Sequence, residues 1–238
     1  MRSRLVIAID GPSGVGKSTV ARAVAARLGF SYVESGAMYR AIALRALETG
    51  TPLDDPAALG ELARRAEFRF ESGASGNRLR LNGRDVTEAI RSPEVTQAAS
   101  LVSVHPEVRT PLVERQRTLG RQGGVVMEGR DVGTVVFPDA ELKIFLEAPA
   151  ETRGQRRLRD SESASLPQEA ARSEAVLQEI TERDRRDATR TVSPLVPAAD
   201  AIRIDTTSLS AAEVVEKILK LAQSRSLPPG LEKPAKSR

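Results

Sequence analysis

Leu5-Val6-Ile7-Ala8-Ile9 is an unbroken apolar run, with the length of a strand buried on both faces. Short strand-like runs return at Phe30 to Val33, Gly124 to Met127, Leu142 to Leu146 and Ala201 to Asp205. Between them the spacing becomes helical. Val20, Val24 and Leu28 fall one turn apart, as do Val214, Ile218 and Leu221. The second of these helices is announced by Ser210 as an N-cap with Glu213 three residues on. Strands alternating with helices predict an α/β chain with a parallel sheet of five strands, covered on both faces.

Two segments break this alternation. Within residues 37–105, Phe68-Arg69-Phe70-Glu71 and Arg78-Leu79-Arg80-Leu81 alternate with period two around a Ser/Gly/Asn-rich turn. That predicts an antiparallel hairpin and so an inserted subdomain. Residues 150–190 are arginine-rich and predicted helical, divided by the polar stretch Ser161 to Pro167, which suggests a mobile flap. Residues 224–238, rich in proline and basic side chains, are expected to be a disordered tail. No internal repeat is present.

Composition narrows the class. A chain of 238 residues buries a sizeable core, and a single domain over 1–223 with two insertions accounts for it. Cysteine is absent, which excludes disulfides and thiolate metal sites and fits a reducing compartment. No apolar stretch approaches the ~18 residues of a membrane helix. The basic start, Met1-Arg2-Ser3-Arg4, leads straight into the first strand. A soluble, cytoplasmic protein with no membrane partner is expected. The net charge of +4 raises the question of nucleic acid, but only 3% of residues are aromatic, leaving few platforms for base stacking. The arginines also stand beside motif residues, so small phosphorylated substrates explain the charge at least as well. No nucleic-acid partner is expected.

Residues 11–18 complete the pattern G-x-x-x-x-G-K-[ST] directly after the first strand. Gly11, Gly14 and Gly16 allow the backbone to curl with its N–H groups inward, and a helix starting near Lys17 adds the positive end of its dipole. Lys17 would reach the β- and γ-phosphates of a nucleoside triphosphate, and Ser18 could touch magnesium. Such a loop specifies a nucleotide, not a reaction. Three further clusters bear on that. Glu34-Ser35-Gly36-Ala37-Met38-Tyr39-Arg40 follows the second strand, where ligands gather at the carboxyl edge of such sheets. It reads either as a phosphate-binding hydroxyl and guanidinium or as a helix cap with a solvated arginine. Glu128-Gly129-Arg130-Asp131-Val132-Gly133-Thr134 reads as a ligand-facing turn or as a structural ion pair. Arg183, Asp187 and Arg190 share a helix face, as do Arg153 and Arg157. A solvated, salt-bridged surface is the ordinary explanation, with Glu179 one turn from Arg183 as partner.

The runs GPSGVGKST (11–19), SGAMYR (35–40), EGRDVGTVVFPDA (128–140), ERDRRDATR (182–190) and SPLVPAADA (193–201) closely resemble bacterial cytidylate kinases. The likeness extends over nearly the whole chain to about residue 223, and EGRDVGTVVFPDA is its most specific part. The resemblance implies the phosphate-loop nucleoside monophosphate kinase fold: a core of 1–36, 106–149 and 191–223, a monophosphate-binding insertion of 37–105 with a small antiparallel sheet, and a helical lid of 150–190. It implies phosphoryl transfer from MgATP to CMP or dCMP, giving CDP or dCDP. Carried to matching positions, it makes Lys17, Arg130, Asp131 and Arg190 the catalytic set. Gly11, Pro12, Ser13, Gly14, Val15, Gly16, Lys17, Ser18 and Thr19 would bind ATP, with Arg153 and Arg157 over its phosphates and Ser18 at the metal. Arg40, Arg130 and Arg190 would hold phosphates, Ser100, Arg109 and Asp131 would read the cytosine edge, and Ser35 would lie near the acceptor. Arg183 and Asp187 would contact the ribose. Two positions depart from the family: Glu34 replaces the usual aspartate, and Ser18 stands where some members carry glycine.

A monophosphate acceptor, with a second pKa near ~6, is already ionised at neutral pH, so no general base is needed. The single histidine, His105, precedes Pro106 and reads as structural. Other readings are a kinase acting on a hydroxyl, such as that of shikimate or a sugar acid, a UMP-directed kinase, or a nucleic-acid-stimulated ATPase. A GTPase would carry an Asn-Lys-x-Asp guanine reader, which the sequence lacks. A monomer is expected.

Overall fold

A computed structural model describes residues 5–73, 76–161 and 169–225. The five apolar runs form β1 (Val6–Asp10), β2 (Ser31–Glu34), β6 (Val125–Gly129), β7 (Leu142–Glu147) and β8 (Ile202–Asp205). They pair in parallel in the order β2-β6-β1-β7-β8. β1 is thus central, with Ile7 opposite Val126 on one side and Leu142 on the other, which is why its sequence is apolar without alternation. The chain runs outward from β1 in one direction to β2 and in the other to β7 and β8. The carboxyl end of β1 therefore lies at the switch point where such sheets open a crevice.

One face of the sheet is covered by α1 (Lys17–Leu28) and α8 (Ala211–Arg225). Val20, Val24, Val214 and Ile218 are buried there against Ile7 and Ile144. Ser210 and Glu213 close the expected capping box: the Ser210 N–H donates to the Glu213 carboxylate at 2.8 Å, and the Glu213 N–H donates to Ser210 Oγ at 3.3 Å. α8 continues through Ser224 and Arg225, so the helix overruns the expected start of the tail. Residues 226–238 lie outside the described residues.

The first interruption folds as α2 (Ser35–Thr49), α3 (Pro56–Arg65), β3 (Phe68–Gly73), β4 (Gly76–Leu81) and α4 (Pro93–Val102). The hairpin is antiparallel with Phe68 opposite Leu81 and Phe70 opposite Leu79. A third strand, β5 (Arg84–Asp85), pairs with β4 and extends the sheet beyond the expected hairpin. Its signal is the dipeptide Asn82-Gly83: φ is +50° and +82° at these residues, the two-residue turn that Asn-Gly favours. The insertion has its own apolar core, including Ile42, Leu59 and Val102, to which α5 (Pro106–Gly120) contributes Val108 and Leu112. His105 stands at the start of α5 with Nε2 at 3.0 Å from the Leu53 carbonyl.

The second interruption is α6 (Ala150–Ser161) and α7 (Glu169–Thr189). Most of the polar stretch between them lies outside the described residues. Among the described residues no helix is long and apolar enough to cross a membrane.

Candidate active site

The loop from Gly11 to Gly16 leaves β1 and enters α1 at Lys17. Gly11 is required by contact: a Cβ there would stand 2.3 Å from the Leu146 carbonyl oxygen. Gly16, with φ +92°, is required by conformation. The loop borders a pocket of about 590 Å3 at the carboxyl edge of the sheet. Lys17, Ser18, Ser35, Arg40, Ser100, Arg109, Arg130, Asp131, Arg183, Asp187 and Arg190 all line this one cavity. Sequence separations of more than 170 residues are closed by the parallel sheet, which brings the ends of β1, β2 and β6 side by side, together with α7, which carries Arg183 and Asp187 and leads to Arg190.

Seven cationic side chains face four carboxylates along this lining. Three of the carboxylates are committed to particular guanidiniums. Glu34 pairs with Arg40, and Asp131 pairs with the buried Arg109. Asp187 accepts from Arg130 Nε at 2.8 Å, with Arg190 Nη1 3.7 Å away. Burial alone would raise the Asp187 carboxyl, but Arg130, then Arg183 and Arg190, hold it below the ordinary range. No carboxylate among the described residues comes within ion-pair distance of Lys17, Arg156 or Arg183. The surplus is felt locally: burial first, and then Arg130, push the Lys17 ammonium down to about 7. The same two causes lower Arg183 to about 10. A site that depresses its own cations this far gains from binding anions.

Several buried polar atoms lack a hydrogen-bond partner, among them Ser100 Oγ and Arg40 Nε. Buried donors are normally satisfied, so these mark places for ligand atoms. Gly129 leaves room for Ser35: a Cβ at 129 would lie 2.4 Å from Ser35 Oγ, which donates to the Glu128 carbonyl at 2.8 Å.

Glu128, quoted in its motif but given no role, proves central. It is buried, and its carboxylate accepts from Ser18 Oγ at 2.8 Å. Burial, then the Glu34 charge, raise its pKa. Ser18 and Glu128 are bonded to each other in the pocket lining and offer oxygen donors that suit a hard divalent cation. Among the described residues no cluster of three or more His, Cys, Asp or Glu forms a metal site. A magnesium ion here would thus have to share its coordination with phosphate oxygens, as that ion commonly does.

Three expectations are corrected by geometry. Arg153 and Arg157 do not line the pocket. Arg153 is buried beneath the loop, where Nη1 donates to the Ser13 carbonyl at 2.8 Å and pairs with Asp184 at 2.6 Å, and Nε donates to the Ala148 carbonyl at 2.9 Å. Arg157 turns to α7 and pairs with Glu179 at 2.8 Å, so Glu179 is not the partner of Arg183. The guanidinium of α6 that does line the pocket is Arg156, which donates to Thr206 Oγ1 at 3.0 Å. Helical spacing put these arginines on α6 but not the direction from which neighbours approach. Finally, Arg190 lies one residue beyond α7, although its N–H still donates to the Arg186 carbonyl at 3.1 Å.

Comparison with known proteins agrees in extent with this architecture. The family described as cytidylate kinase matches residues 7–224. The cytidylate kinase of Desulfitobacterium hafniense (strain Y51) is 51% identical over 93% of this chain and 94% of its own. That of Geobacillus sp. (strain WCH70) is 48% identical over 94% and 99%. The bifunctional pantoate ligase/cytidylate kinase of Synechococcus sp. (strain JA-3-3Ab) is 52% identical over 92% of this chain. The matched stretch covers only 40% of that longer relative.

Proposed function

The chain belongs to the cytidylate kinase family, and from that premise we propose that it transfers the γ-phosphoryl group of ATP to CMP or dCMP, forming ADP and CDP or dCDP. The observation that carries this reading is one cavity with a phosphate loop and Lys17 on its wall and the Arg109–Asp131 pair and unpartnered Ser100 hydroxyl also on its lining. A hydroxyl-directed kinase would need a base at the acceptor. Here Glu34, Asp131 and Asp187 are already engaged by Arg40, Arg109 and Arg130.

In this reading residues 37–105 receive the monophosphate, 150–190 close as a lid, and the remainder to 223 is the core. The loop N–H groups and Lys17 hold the donor phosphates. Arg40, Arg130 and Arg190 hold the acceptor phosphate and the group in flight, cancelling repulsion between two polyanions. Asp131 accepts from the cytosine amino group, Arg109 donates to the adjacent ring acceptors and Ser100 adds a third contact. Asp187 and Arg183 receive the ribose, with Ser35 close to the acceptor. The acceptor phosphate attacks in line, and its oxygen needs no base because it is already ionised. The transition state spreads charge over the equatorial oxygens, which the guanidiniums and Lys17 stabilise. Magnesium, held by Ser18 with Glu128 behind it, would supply further neutralisation of the donor phosphates. Arg153, from its place under the loop, would shape the cradle rather than touch phosphate.

The test is ADP release, followed by a coupled assay with CMP, dCMP, UMP, AMP, shikimate or RNA as additives. Turnover stimulated by CMP and dCMP well above the rest is expected. ATP binding with no cytidylate-stimulated turnover would remove the assignment. A second expectation concerns protons. At pH 8 a Lys17 with a pKa near 7 is mostly neutral in the free enzyme. Phosphate beside it favours the charged form, so ATP binding should take up as much as one proton. Calorimetry in buffers of different ionisation enthalpy reads this directly, and Lys17→Met should abolish the uptake.

A further inference from the structure

We infer that Asp10 is a positioning residue for base selection, which clamps the turn carrying Arg130 and Asp131 onto the root of the phosphate loop. Asp10 ends β1 and directly precedes Gly11, and its side chain is buried. Oδ1 accepts from the Val132 N–H at 2.9 Å and Oδ2 from the Gly133 N–H at 2.7 Å. β1 and β6 pair with Asp10 opposite Gly129. The carboxylate therefore reaches past the end of its partner strand to grip the chain just after Asp131. Gly133 lies close enough that a Cβ there would stand 3.4 Å from Oδ2 and 3.3 Å from Lys143 Cδ. Asp131 itself has φ −145° and ψ 22°, and it opens a five-residue π-helical turn, Val132–Val136. A π turn is an uncommon conformation that needs outside support, and it is often found at functional sites. Two N–H groups held by one carboxylate fix both the position and the rotation of this turn.

Stability alone does not explain a carboxylate in this place. Burial pushes the Asp10 pKa up to about 6 in spite of the two amides, so the surroundings make its charge costlier than in water although the group is still mostly ionised at neutral pH. An asparagine has the same shape but offers a single acceptor oxygen. Its amide nitrogen would face one of the two N–H groups, and the turn would keep one bond and lose its fixed rotation.

This inference rests on the base-reading role proposed for Asp131, and the experiment separates the two. Steady-state kinetics with CMP and UMP are compared for Asp10→Asn, Asp131→Ala and the double variant. Asp10→Asn should lower the CMP-to-UMP ratio of kcat/KM on the order of tenfold, the effect of one misplaced polar contact. It should leave KM for ATP nearly unchanged and add little to the loss in Asp131→Ala, as expected for two residues acting on one contact. Selectivity lost in Asp131→Ala but retained in Asp10→Asn, or losses that add in full, would overturn the role of Asp10 alone. Selectivity retained in Asp131→Ala would overturn the base-reading role and this inference with it. The clamp is also visible in the unaltered protein as slow hydrogen exchange at the Val132 and Gly133 amides. Exchange there at the rate of exposed amides would overturn the proposal even if Asp10→Asn failed to fold.

Discussion

Asp131→Ala is expected to lower kcat/KM for CMP by on the order of 10²- to 10³-fold while KM for ATP changes little. Two effects combine. In the proposed reading the cytosine amino group loses its acceptor, and a pocket built to pair a polar group discriminates strongly when that pairing fails. The larger effect is on Arg109. Its guanidinium is 3% exposed, pairs with Asp131, and donates from Nη1 to the Ser103 carbonyl at 3.1 Å. Without the carboxylate, a buried cation loses its counter-charge, a change that costs about 3–5 kcal/mol when one partner of a buried pair is removed. Arg109 then shifts or draws in water, and the second base contact is lost with the first. A lower melting temperature should accompany the kinetic loss. Asp131→Asn keeps an acceptor and should fall between the two. Initial rates with CMP and ATP varied independently give the comparison. Equal losses for both nucleotides would remove Asp131 from base reading.

Arg130→Met is expected to lower kcat about 10³-fold, the lower end of what an arginine delivered to a transferring phosphoryl group contributes in related enzymes. Arg130 lines the pocket together with the phosphate loop. Its Nε donates to Asp187 at 2.8 Å, and it is the strongest charge acting on Lys17. Methionine keeps most of the buried stem but takes the nearest counter-charge from the buried Asp187, leaving Arg190 at 3.7 Å, so a lower melting temperature should accompany the kinetic loss. Arg130→Lys should recover little, because an ammonium cannot reproduce the planar fork. A second readout separates a catalytic role from a structural one. With Arg130 gone the Lys17 pKa should rise, and proton uptake on ATP binding at pH 8 should shrink. Single-turnover measurements with ATP and CMP check the rate, and calorimetry checks the proton.

The parts legible before folding were those written in local periodicity and local spelling. Apolar runs gave the strands, and their unalternating composition gave a sheet covered on both faces. The phosphate loop, the Ser210–Glu213 cap and the Phe68–Leu81 hairpin could each be read within about fifteen residues. The Asn82-Gly83 turn carries an equally local signal. For Arg153, Arg156 and Arg157 the sequence offered helical spacing alone. Which of them meets the loop, the pocket or α7 depends on where β1, β8 and α7 lie around α6. Family resemblance placed Arg153 and Arg157 over phosphates, and the fold placed Arg156 at the cavity instead.

The sequence by itself determined that this chain makes a parallel α/β sheet with a nucleotide loop at its first strand, because those features depend on residues adjacent in the chain. Tertiary structure alone decided which charges meet. Arg40 with Glu34 lies six residues apart, but Asp10 with Gly133, Ser18 with Glu128 and Arg130 with Asp187 span 123, 110 and 57 residues. The pairings of Asp10 and Ser18 follow from the strand order β2-β6-β1, which aligns three carboxyl ends around one crevice, and that of Arg130 needs α7 at the edge of the same crevice. No local pattern encodes that alignment. It arises when the buried faces of the strands find one another, and the chemistry of the pocket is the consequence.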